Sequence, residues 1–535
     1  FLRPAWPPTW NVAAPLDAGE KEIAELVLHR LRIRRDELLS VKVKKKSVDA
    51  RDKGDVHFVL TLDVCLKDEN AVLRHLKPGI AARVQPPAPM VLPKAAFEKP
   101  PVVVGAGPAG LFAALTLARA GAQPILIERG KPVEARAQDV ARMAEAGVLD
   151  PESNVQFGEG GAGAFSDGKL TTGIKSVHQQ TVLETFVKHG APEEILYLAK
   201  PHIGTDLLRG VVASMRAEIL RLGGQVLFET RLEELLLAGH RVVGVKVRQG
   251  EQVREIVTDA VLLCIGHSAR DTLQTLFRQG VDMTQKPFAM GVRIEHPQEL
   301  INRSQYGRFA GHPALRAADY KLNVRTPDGR GCYTFCMCPG GEVIAAASQP
   351  GGVAVNGMSY HARDGKNANA ALAVSVDPKD YDDGTPFGGV ALQRRIEHAA
   401  YAQTGSYRAP CQKVGDFLNG KPTRKLGAVK PSYPIGVELG EAAACLPDFA
   451  QTMLRDSLPY FGRKIRGYDT ADALLTGPET RTSSPVRMTR GEDLFGLGCS
   501  GIIPCGEGAG YAGGIMSAAV DGIRAAFRIM GEFAN

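Results

Sequence analysis

The chain has 535 residues, of which 44% are hydrophobic and 23% charged, and its formal net charge is +7. This length exceeds what one ordinary hydrophobic core organises, so two or three globular domains are expected. No apolar run approaches the roughly 18 residues of a membrane span and no signal-peptide core is present, so we expect a cytoplasmic protein.

The first 85 residues predict a small α+β domain. Apolar residues recur at helical spacing between residues 20 and 35, and strand patterns follow at 38–47 and 56–66. The segment Lys42–Lys46 is favoured as a half-exposed strand with Val43 inward and the lysines in water. A surface for RNA or an acidic partner is the alternative, although nucleic acid is disfavoured. A proline-rich linker follows at 86–97.

A strand, helix and strand with a glycine-rich turn then begin at residue 98. The apolar strand Val102–Val104 leads into a turn that needs Gly105, Gly107 lets the backbone approach a pyrophosphate, and Gly110 lets the next helix pack closely. Glu128, about 20 residues further on, is placed to bind ribose hydroxyls. The predicted cofactor-binding residues here are Gly105, Gly107, Pro108, Ala109, Gly110, Glu128 and Arg129. A dinucleotide site is therefore predicted, and a glycine-rich turn without ligand is the alternative.

A second glycine-rich segment spans Phe157–Leu170. Its backbone amides favour an anion-binding nest, so Gly161 and Gly163 are predicted to lie beside the cofactor. Lys169 is a candidate catalytic residue that would lie over a flavin or a substrate acid. A surface loop is the alternative.

Strand patterns follow at 225–237, 241–248 and 253–258, and the apolar strand from Ala260 ends at Gly266. This strand end is where such folds cross back over the cofactor, so Gly266 is predicted to contact it. The neighbouring His267 is favoured as a packing residue, with a base as the alternative.

Residues 286–475 are predicted to form an inserted substrate-side domain, with strands at 287–296 and 332–350 and a helix near 449–458. The nine cysteines are scattered and do not predict a disulfide framework. Cys336 and Cys338 supply half of a usual zinc site, and no second pair follows. No metal site is predicted, and a redox or metal role for this pair is kept as the minority interpretation.

Residues 476–535 are predicted to complete the cofactor domain. In Glu479–Arg487, Arg481 (or Arg487) is a candidate clamp for an anionic substrate, and Ser484 (or Ser483) a candidate hydrogen-bond partner of a flavin ring. We place Arg481 and Ser484 with Lys169 as catalytic candidates. A capped structural turn with paired charges explains the segment equally well.

The C-terminal motif decides which dinucleotide is expected. A short apolar strand ending in Gly506-Glu507, followed by a glycine-rich turn and a helix, is typical of FAD proteins of the glutathione-reductase type. Glu507 is predicted to bind ribityl hydroxyls, and the helix start is predicted to lie near the flavin N1/O2 edge. The predicted amide donors there are Gly513, Gly514, Ile515 and Met516. FAD is the predicted cofactor, with NAD as the alternative.

Several of these segments together resemble the bacterial and plastid family of FAD-dependent dehydrogenases, also called NAD(P)/FAD-dependent oxidoreductases, whose substrates are mostly unassigned. The segments are Lys46–Arg51, Phe157–Leu170, Cys336–Gly341, Asn356–Ser359, Glu479–Arg487 and the Gly506-Glu507 motif. The resemblance covers nearly the whole chain, and the C-terminal part is more distantly similar to BaiN-like flavoproteins. It implies an FAD domain of the Rossmann type and an inserted region over the flavin, without implying a known reaction.

The expected fold class is therefore α/β, with a glutathione-reductase-like FAD domain (98–285 and 476–535) split by the inserted β-rich and helical domain, plus the N-terminal α+β domain. The expected function is hydride transfer between flavin N5 and a small or medium organic substrate, as a dehydrogenase or C=C reductase. No second GxGxxG motif is present, so any NAD(P)H donor must dock transiently over the flavin. The alternatives are a flavin monooxygenase using NAD(P)H and oxygen, and an RNA-interacting or scaffold protein with structural FAD. The sequence leaves the oligomeric state open.

Overall fold

The structure is a computed structural model that describes residues 2–3, 11–77, 79–84, 90–327 and 329–534. In the N-terminal domain, strand β4 is the centre of an antiparallel sheet, with β3 on one side and β1 and β2 on the other. The elements are β1 (Leu2–Arg3), β2 (Val12–Ala14), α1 (Glu20–Leu31), β3 (Leu38–Asp49), β4 (His57–Leu66), α2 (Glu69–His75) and β5 (Ala82–Arg83). Linker residues 86–89 lie outside the described residues.

The lysine-rich segment lies in β3, as predicted, but its inward and outward alternation is broken. The pairing with β4 shifts register between Val43 and Lys45. As a result Lys42 and Lys45 are exposed, whereas Lys46 is half-buried with its Nζ 3.9 Å from the ring centre of Phe58. The expectation that all these lysines extend into water is therefore wrong for Lys46, because a bulge reverses the side of the strand that a residue faces.

The second domain is built on a five-stranded parallel sheet of order β24-β12-β6-β7-β8. Its first part contains β6 (Val102–Val104), α3 (Pro108–Arg119), β7 (Ile125–Ile127), α4 (Val133–Ala146), α5 (His178–Lys188), α6 (Thr205–Arg221), β8 (Gln225–Leu227), β9 (Thr230–Ala238), β10 (Arg241–Gln249), β11 (Gln252–Val257), β12 (Val261–Leu263), α7 (Arg270–Arg278) and β13 (Met283–Gln285). Strands β6, β7 and β12 are buried throughout, as expected for a parallel sheet covered on both faces.

The inserted region contains a seven-stranded sheet of order β15-β16-β19-β14-β22-β20-β21 with α11 packed on it. Its elements are β14 (Phe288–Pro297), α8 (Gln298–Tyr306), β15 (Asn323–Arg325), β16 (Gly331–Cys338), β17 (Glu342–Ala345), β18 (Val355–Met358), β19 (Asn367–Val376), α9 (Gly388–Thr404), β20 (Ala409–Lys413), α10 (Val414–Leu418), β21 (Val437–Leu439), α11 (Asp448–Lys464) and β22 (Leu474–Glu479). The boundary expected after residue 475 falls inside β22, because that strand belongs to this sheet.

The chain then returns to the parallel sheet. Strand β23 (Val486–Met488) pairs with β13, β24 (Ile502–Pro504) joins the edge of the parallel sheet beside β12, and α12 (Ile515–Phe533) packs along α3. The predicted α/β class with a parallel sheet is confirmed. Since β6, β12 and β24 are parallel neighbours, their carboxyl ends meet at one edge, where ligands bind in such folds.

Candidate functional site

The first glycine turn joins β6 to α3 through close backbone contacts. Gly105 has φ +101°, and a Cβ there would overlap the carbonyl oxygen of Cys264 on the neighbouring strand. A Cβ at Gly110 would overlap the carbonyl oxygen of Gly105. Both positions need glycine, and the turn thereby brings the N-terminus of α3 to the edge of the sheet.

The carboxylate of Glu128 holds this turn and the second glycine segment together. It accepts hydrogen bonds from the backbone N–H groups of Ala106 at 2.7 Å and of Gly130 and Gly158 at 2.9 Å. A carboxylate offers about four acceptor positions, so Glu128 retains capacity for a further donor. It lines the large cavity at the edge of the sheet, where a ribose hydroxyl would reach it.

The second glycine segment lies directly against the first turn and against α12. A Cβ at Gly161 would come 3.0 Å from Cα of Gly107, and a Cβ at Gly163 would come 3.0 Å from Cγ1 of Ile515. All four residues line the cavity. The glycines therefore let three distant chain segments share one wall.

The C-terminal motif contributes Glu507 and the start of α12. Gly514, with φ +89°, precedes the helix, and its N–H donates to Oε2 of Glu507 at 3.2 Å. Burial raises the pKa of Glu507 to about 7. The cavity is thus bordered by the N-termini of α3 and α12, two positive helix ends that suit a diphosphate.

Arg129 and Gly266 form further parts of the cavity wall. The Arg129 guanidinium pairs with Glu152 at 2.8 Å and Asp271 at 2.9 Å and lies 4.1 Å from the ring centre of Phe157. Gly266 has φ +70° and is followed by His267, which also lines the cavity. Burial, Arg481 and Arg270 lower the pKa of His267 to about 3, so this ring is neutral at pH 7.

Arg481 lines the cavity but already has a carboxylate partner. Its Nε and Nη2 donate to the two oxygens of Glu397 at 2.8 and 2.9 Å, while Arg270 donates to the same carboxylate at 2.9 and 3.0 Å. All three side chains are buried, and the two arginines hold the pKa of Glu397 far below its usual value. Arg481 and Arg270 therefore link the inserted domain to the parallel-sheet domain through Glu397. The expectation that Arg481 is a free cation able to clamp an anionic substrate is not supported.

Lys169 lies on another wall of the cavity, in an alternating set of partly buried charges. Its Nζ is 3.5 Å from Asp167 and donates to the carbonyl oxygen of Met337. Asp167 also pairs with Arg363. Lys169 lines the cavity together with Glu479, which is the last residue of strand β22.

Glu479 pairs with the buried Arg293 at 2.9 Å. Burial raises the pKa of Glu479 to about 8. The inserted domain thus adds a carboxyl group with a raised pKa to a cavity that the parallel-sheet domain also lines with ionisable side chains, among them Glu128, Lys169 and Glu507.

Four predicted site residues do not line the cavity. Gly110 packs behind the turn, Met516 belongs to the core between α12 and α3, and Gly513 donates its N–H to Ser517 Oγ at 3.0 Å. The Ser484 hydroxyl donates to the carbonyl oxygen of Val486 at 2.6 Å. Ser484 is buried away from the cavity because its own turn uses this hydroxyl, so the role at the flavin ring pictured for it is not supported.

Several lining residues were not proposed from sequence. They include Gln156, Phe157, Phe335, Cys336, Asn356, Glu479 and Thr482. Some belong to segments flagged by their composition, but no sequence spacing relates residues 335–356 to the glycine turn. Their position follows from how the inserted sheet meets the parallel one.

Among the described residues no helix has both the length and the apolar character that a membrane crossing requires. The same residues contain no cluster of three or more histidine, cysteine or acidic side chains able to share a metal ion.

The cavity suits FAD on the geometry alone. The two helix N-termini, the glycines where a Cβ would fill the space, and two carboxylates with acceptor capacity match a diphosphate flanked by two polyhydroxyl groups. Residues 101–207 match the family described as FAD binding domain, and residues 287–482 match the one described as FAD-dependent protein, C-terminal domain-like. Residues 9–65 match a domain of unknown function. These findings confirm FAD as the cofactor.

One relative extends over almost the full chain. It is a protein of Clostridium beijerinckii described as uncharacterized, 46% identical over 527 residues that make up 98% of each chain. Solved structures show weaker likeness. Pyridoxine 4-oxidase from Mesorbium loti is 13% identical, covers 81% of this chain and 98% of its own, and has a TM-score of 0.36. A geranylgeranyl bacteriochlorophyll reductase-like protein from Thermoplasma acidophilum is 14% identical, with coverages of 82% and 78% and a TM-score of 0.34.

Proposed function

Because the chain belongs to a family of FAD-dependent oxidoreductases whose substrate is unassigned, we propose that it transfers a hydride between flavin N5 and a small or medium organic substrate. One observation carries this proposal. A single cavity joins the cofactor-holding edge of the parallel sheet to a wall of buried ionisable side chains from the inserted domain. A protein that bound FAD only as a structural part would have no need for such a wall.

The parallel-sheet domain would hold the cofactor. In this assignment Gly105, Gly107, Pro108 and Ala109 contact the diphosphate with the start of α3, while Glu128 takes the ribose hydroxyls. Gly161, Gly163 and Gly266 shape the walls. Gly110 and Arg129 act indirectly, through helix packing and through the Phe157 contact.

The C-terminal segment would hold the other half. Glu507 is assigned to the ribityl hydroxyls and the start of α12, at Gly514 and Ile515, to the pyrimidine side of the ring. The positive end of this helix favours negative charge on a bound group. The bound flavin supplies the two-electron chemistry.

The substrate would bind where the inserted domain faces Lys169 of the second glycine segment. Lys169, Glu479 and Thr482 offer one cation, one carboxyl group with a raised pKa and one hydroxyl at the cavity surface. Lys169 is assigned to orient a polar or acidic substrate group, and Glu479 to hold or deliver a proton near neutral pH.

The test uses the FAD-loaded protein. After anaerobic photoreduction, we expect reoxidation by a matching organic acceptor to be fast, and the variant Lys169→Met to slow it about 100-fold. Lys175→Met, at an exposed lysine away from the cavity, is the matched control. NADPH-dependent oxygen uptake with a hydroxylated product would instead establish the monooxygenase. An inert flavin with strongly salt-dependent RNA binding would remove the enzyme proposal.

A further inference from the structure

Two cysteines lie at the end of one strand of the inserted sheet, and the first of them, Cys336, lines the cavity. Strand β16 ends in Cys336-Met337-Cys338, and its pairing with β19 shifts register between Phe335 and Cys338. Cys336 has φ +44°, a left-handed conformation that few non-glycine residues adopt and that concentrates at functional sites. Sγ of Cys338 lies 3.2 Å from the carbonyl oxygen of Cys336. The irregular backbone therefore folds the second thiol back toward the backbone of the first cysteine.

Positive charge lies close to the thiol of Cys338 and to the backbone of Cys336. Lys169 Nζ lies 4.0 Å and Arg293 Nη1 3.9 Å from Sγ of Cys338, and Arg293 Nη2 donates to the carbonyl oxygen of Cys336 at 2.9 Å. The nearby acids already have partners, since Asp167 pairs with Arg363 and Glu479 with Arg293. This arrangement stabilises a negative charge on sulfur.

The two thiols share a proton unequally. The pKa of Cys336 lies well below its usual value because the Cys338 thiol hydrogen-bonds to it and because Lys169 and Arg293 are close. The same contact and burial raise the pKa of Cys338. Cys332, on the same strand but in the apolar core, has its pKa raised to about 12. A thiolate beside a thiol is therefore specific to the end of β16.

We propose that Cys336 and Cys338 form a redox-active dithiol that exchanges an electron pair with the FAD bound in the cavity. This proposal rests on the proposed function, because the electron pair would pass between FAD in the cavity and Cys336. Cys336 is the member of the pair that lines the cavity. It makes the pair a second redox group, suited to substrates or electron donors of the thiol and disulfide class.

The electrons and protons balance without a further reactant. In the oxidising direction, the Cys336 thiolate and the Cys338 thiol lose two electrons, the Cys338 S–H bond breaks and one S–S bond forms. The flavin takes up the two electrons and the released proton. In the opposite direction the reduced flavin returns them, the S–S bond breaks and Cys336 leaves as thiolate beside Lys169 and Arg293.

An anaerobic reductive titration of air-oxidised, FAD-loaded protein tests the pair directly. We expect the protein to accept four electrons per flavin, whereas Cys336→Ser and Cys338→Ser accept two. Cys65→Ser, at a half-buried thiol in the N-terminal domain, is the matched control and accepts four. Uptake of only two electrons by the unmodified protein would overturn the proposal while leaving the proposed function standing, and failure to retain FAD would overturn both.

Peptide mapping after alkylation gives the same answer without variants. In the oxidised holoprotein we expect the peptide containing Cys336 and Cys338 to lack alkyl groups and to carry a disulfide. After reduction of the flavin, both positions become alkylated, Cys336 first. Alkylation of both cysteines in the oxidised holoprotein would contradict the dithiol.

Discussion

The two sides of the cavity are built from different kinds of chemical group. The parallel-sheet side uses glycines, helix N-termini and carboxylates bound to backbone N–H groups. The side formed by the inserted sheet uses buried charges, with Glu397 held between Arg481 and Arg270 of the parallel-sheet domain, and Arg293 beside Glu479. Backbone donors suit the diphosphate of FAD. The side-chain charges Lys169 and Glu479 are the groups that the proposed function assigns to the substrate.

The cysteines give the same contrast within one cavity. Cys264 and Cys505 line it from adjacent parallel strands, and burial with the neighbouring thiol raises the pKa of Cys505 well above its usual value. Cys336 lines it from the inserted sheet, where the hydrogen bond with the Cys338 thiol, and after it Lys169 and Arg293, lower its pKa. Cys336 and Cys505 therefore shift in opposite directions, and the proposed dithiol contains the thiol whose pKa is lowered.

The largest loss of stability is expected from breaking the ion pairs that Glu397 forms with Arg270 and Arg481. Glu397→Gln leaves two buried arginines without their carboxylate, which should cost about 3 to 5 kcal/mol of unfolding free energy. Because the pKa of Glu397 is lowered in the folded protein, its stabilisation is complete above the unfolded pKa and is lost as pH falls. Urea unfolding at neutral and acidic pH measures both. A variant as stable as the unmodified protein at neutral pH would show that the network is not needed.

A smaller loss of stability, with loss of the cofactor, is expected from the glycine turn. In Gly110→Ala the added methyl group overlaps the carbonyl oxygen of Gly105, so the turn and α3 must separate, at about 1 to 3 kcal/mol. Gly173→Ala is the control, since nothing lies within 4 Å of a Cβ there. Thermal unfolding and the flavin content of purified protein are the measurements. Unlike the network variant, this one should show the same loss across pH, and full flavin retention would refute the packing argument.

Glu507 is expected to affect both cofactor binding and its pH dependence, because the proposed function assigns it to FAD and its pKa is raised. Glu507→Ala should weaken FAD binding about tenfold, the value of one hydrogen bond to a charged group. Since the pKa of Glu507 is raised to about 7, the ionised acceptor forms and affinity rises as pH increases through that value. Glu507→Gln should keep most of the affinity and lose this pH step. Fluorescence titration with FAD between mildly acidic and mildly basic pH separates the variants, and a pH step retained in Glu507→Gln would assign it elsewhere.

The most local effect concerns Cys336 alone. Its alkylation rate by iodoacetamide should stay high at pH values where a small-molecule thiol of ordinary pKa already reacts slowly, because the Cys336 thiolate persists to lower pH. Lys169→Met removes one cation and should move the rate profile of Cys336 to higher pH, whereas Lys175→Met should not. Peptide mass spectrometry after brief alkylation gives the profile of Cys336 in each variant. Identical profiles for Cys336 and the small-molecule thiol would exclude a stabilised thiolate.

The sequence by itself determined the parallel-sheet side. Gly105, Gly107 and Gly110 between a buried strand and an apolar helix specify a dinucleotide turn, because each glycine meets a local steric need. The motif at Glu507 predicted FAD. It is again a short apolar strand, a glycine-rich turn and a helix, and this combination near the C-terminus is typical of FAD proteins. These features are readable because they are made of neighbouring residues.

Only the tertiary structure decided the other side. The sequence predicted Arg481 as an anion clamp, but its guanidinium donates two hydrogen bonds to Glu397, on a helix of the inserted domain. The sequence predicted Ser484 as a flavin contact, but its hydroxyl donates to a carbonyl oxygen of its own turn. Cys336 became notable only beside Lys169 and Arg293. Buried charge and thiol chemistry depend on partners that are distant in sequence, so their roles are fixed when the two sheets meet.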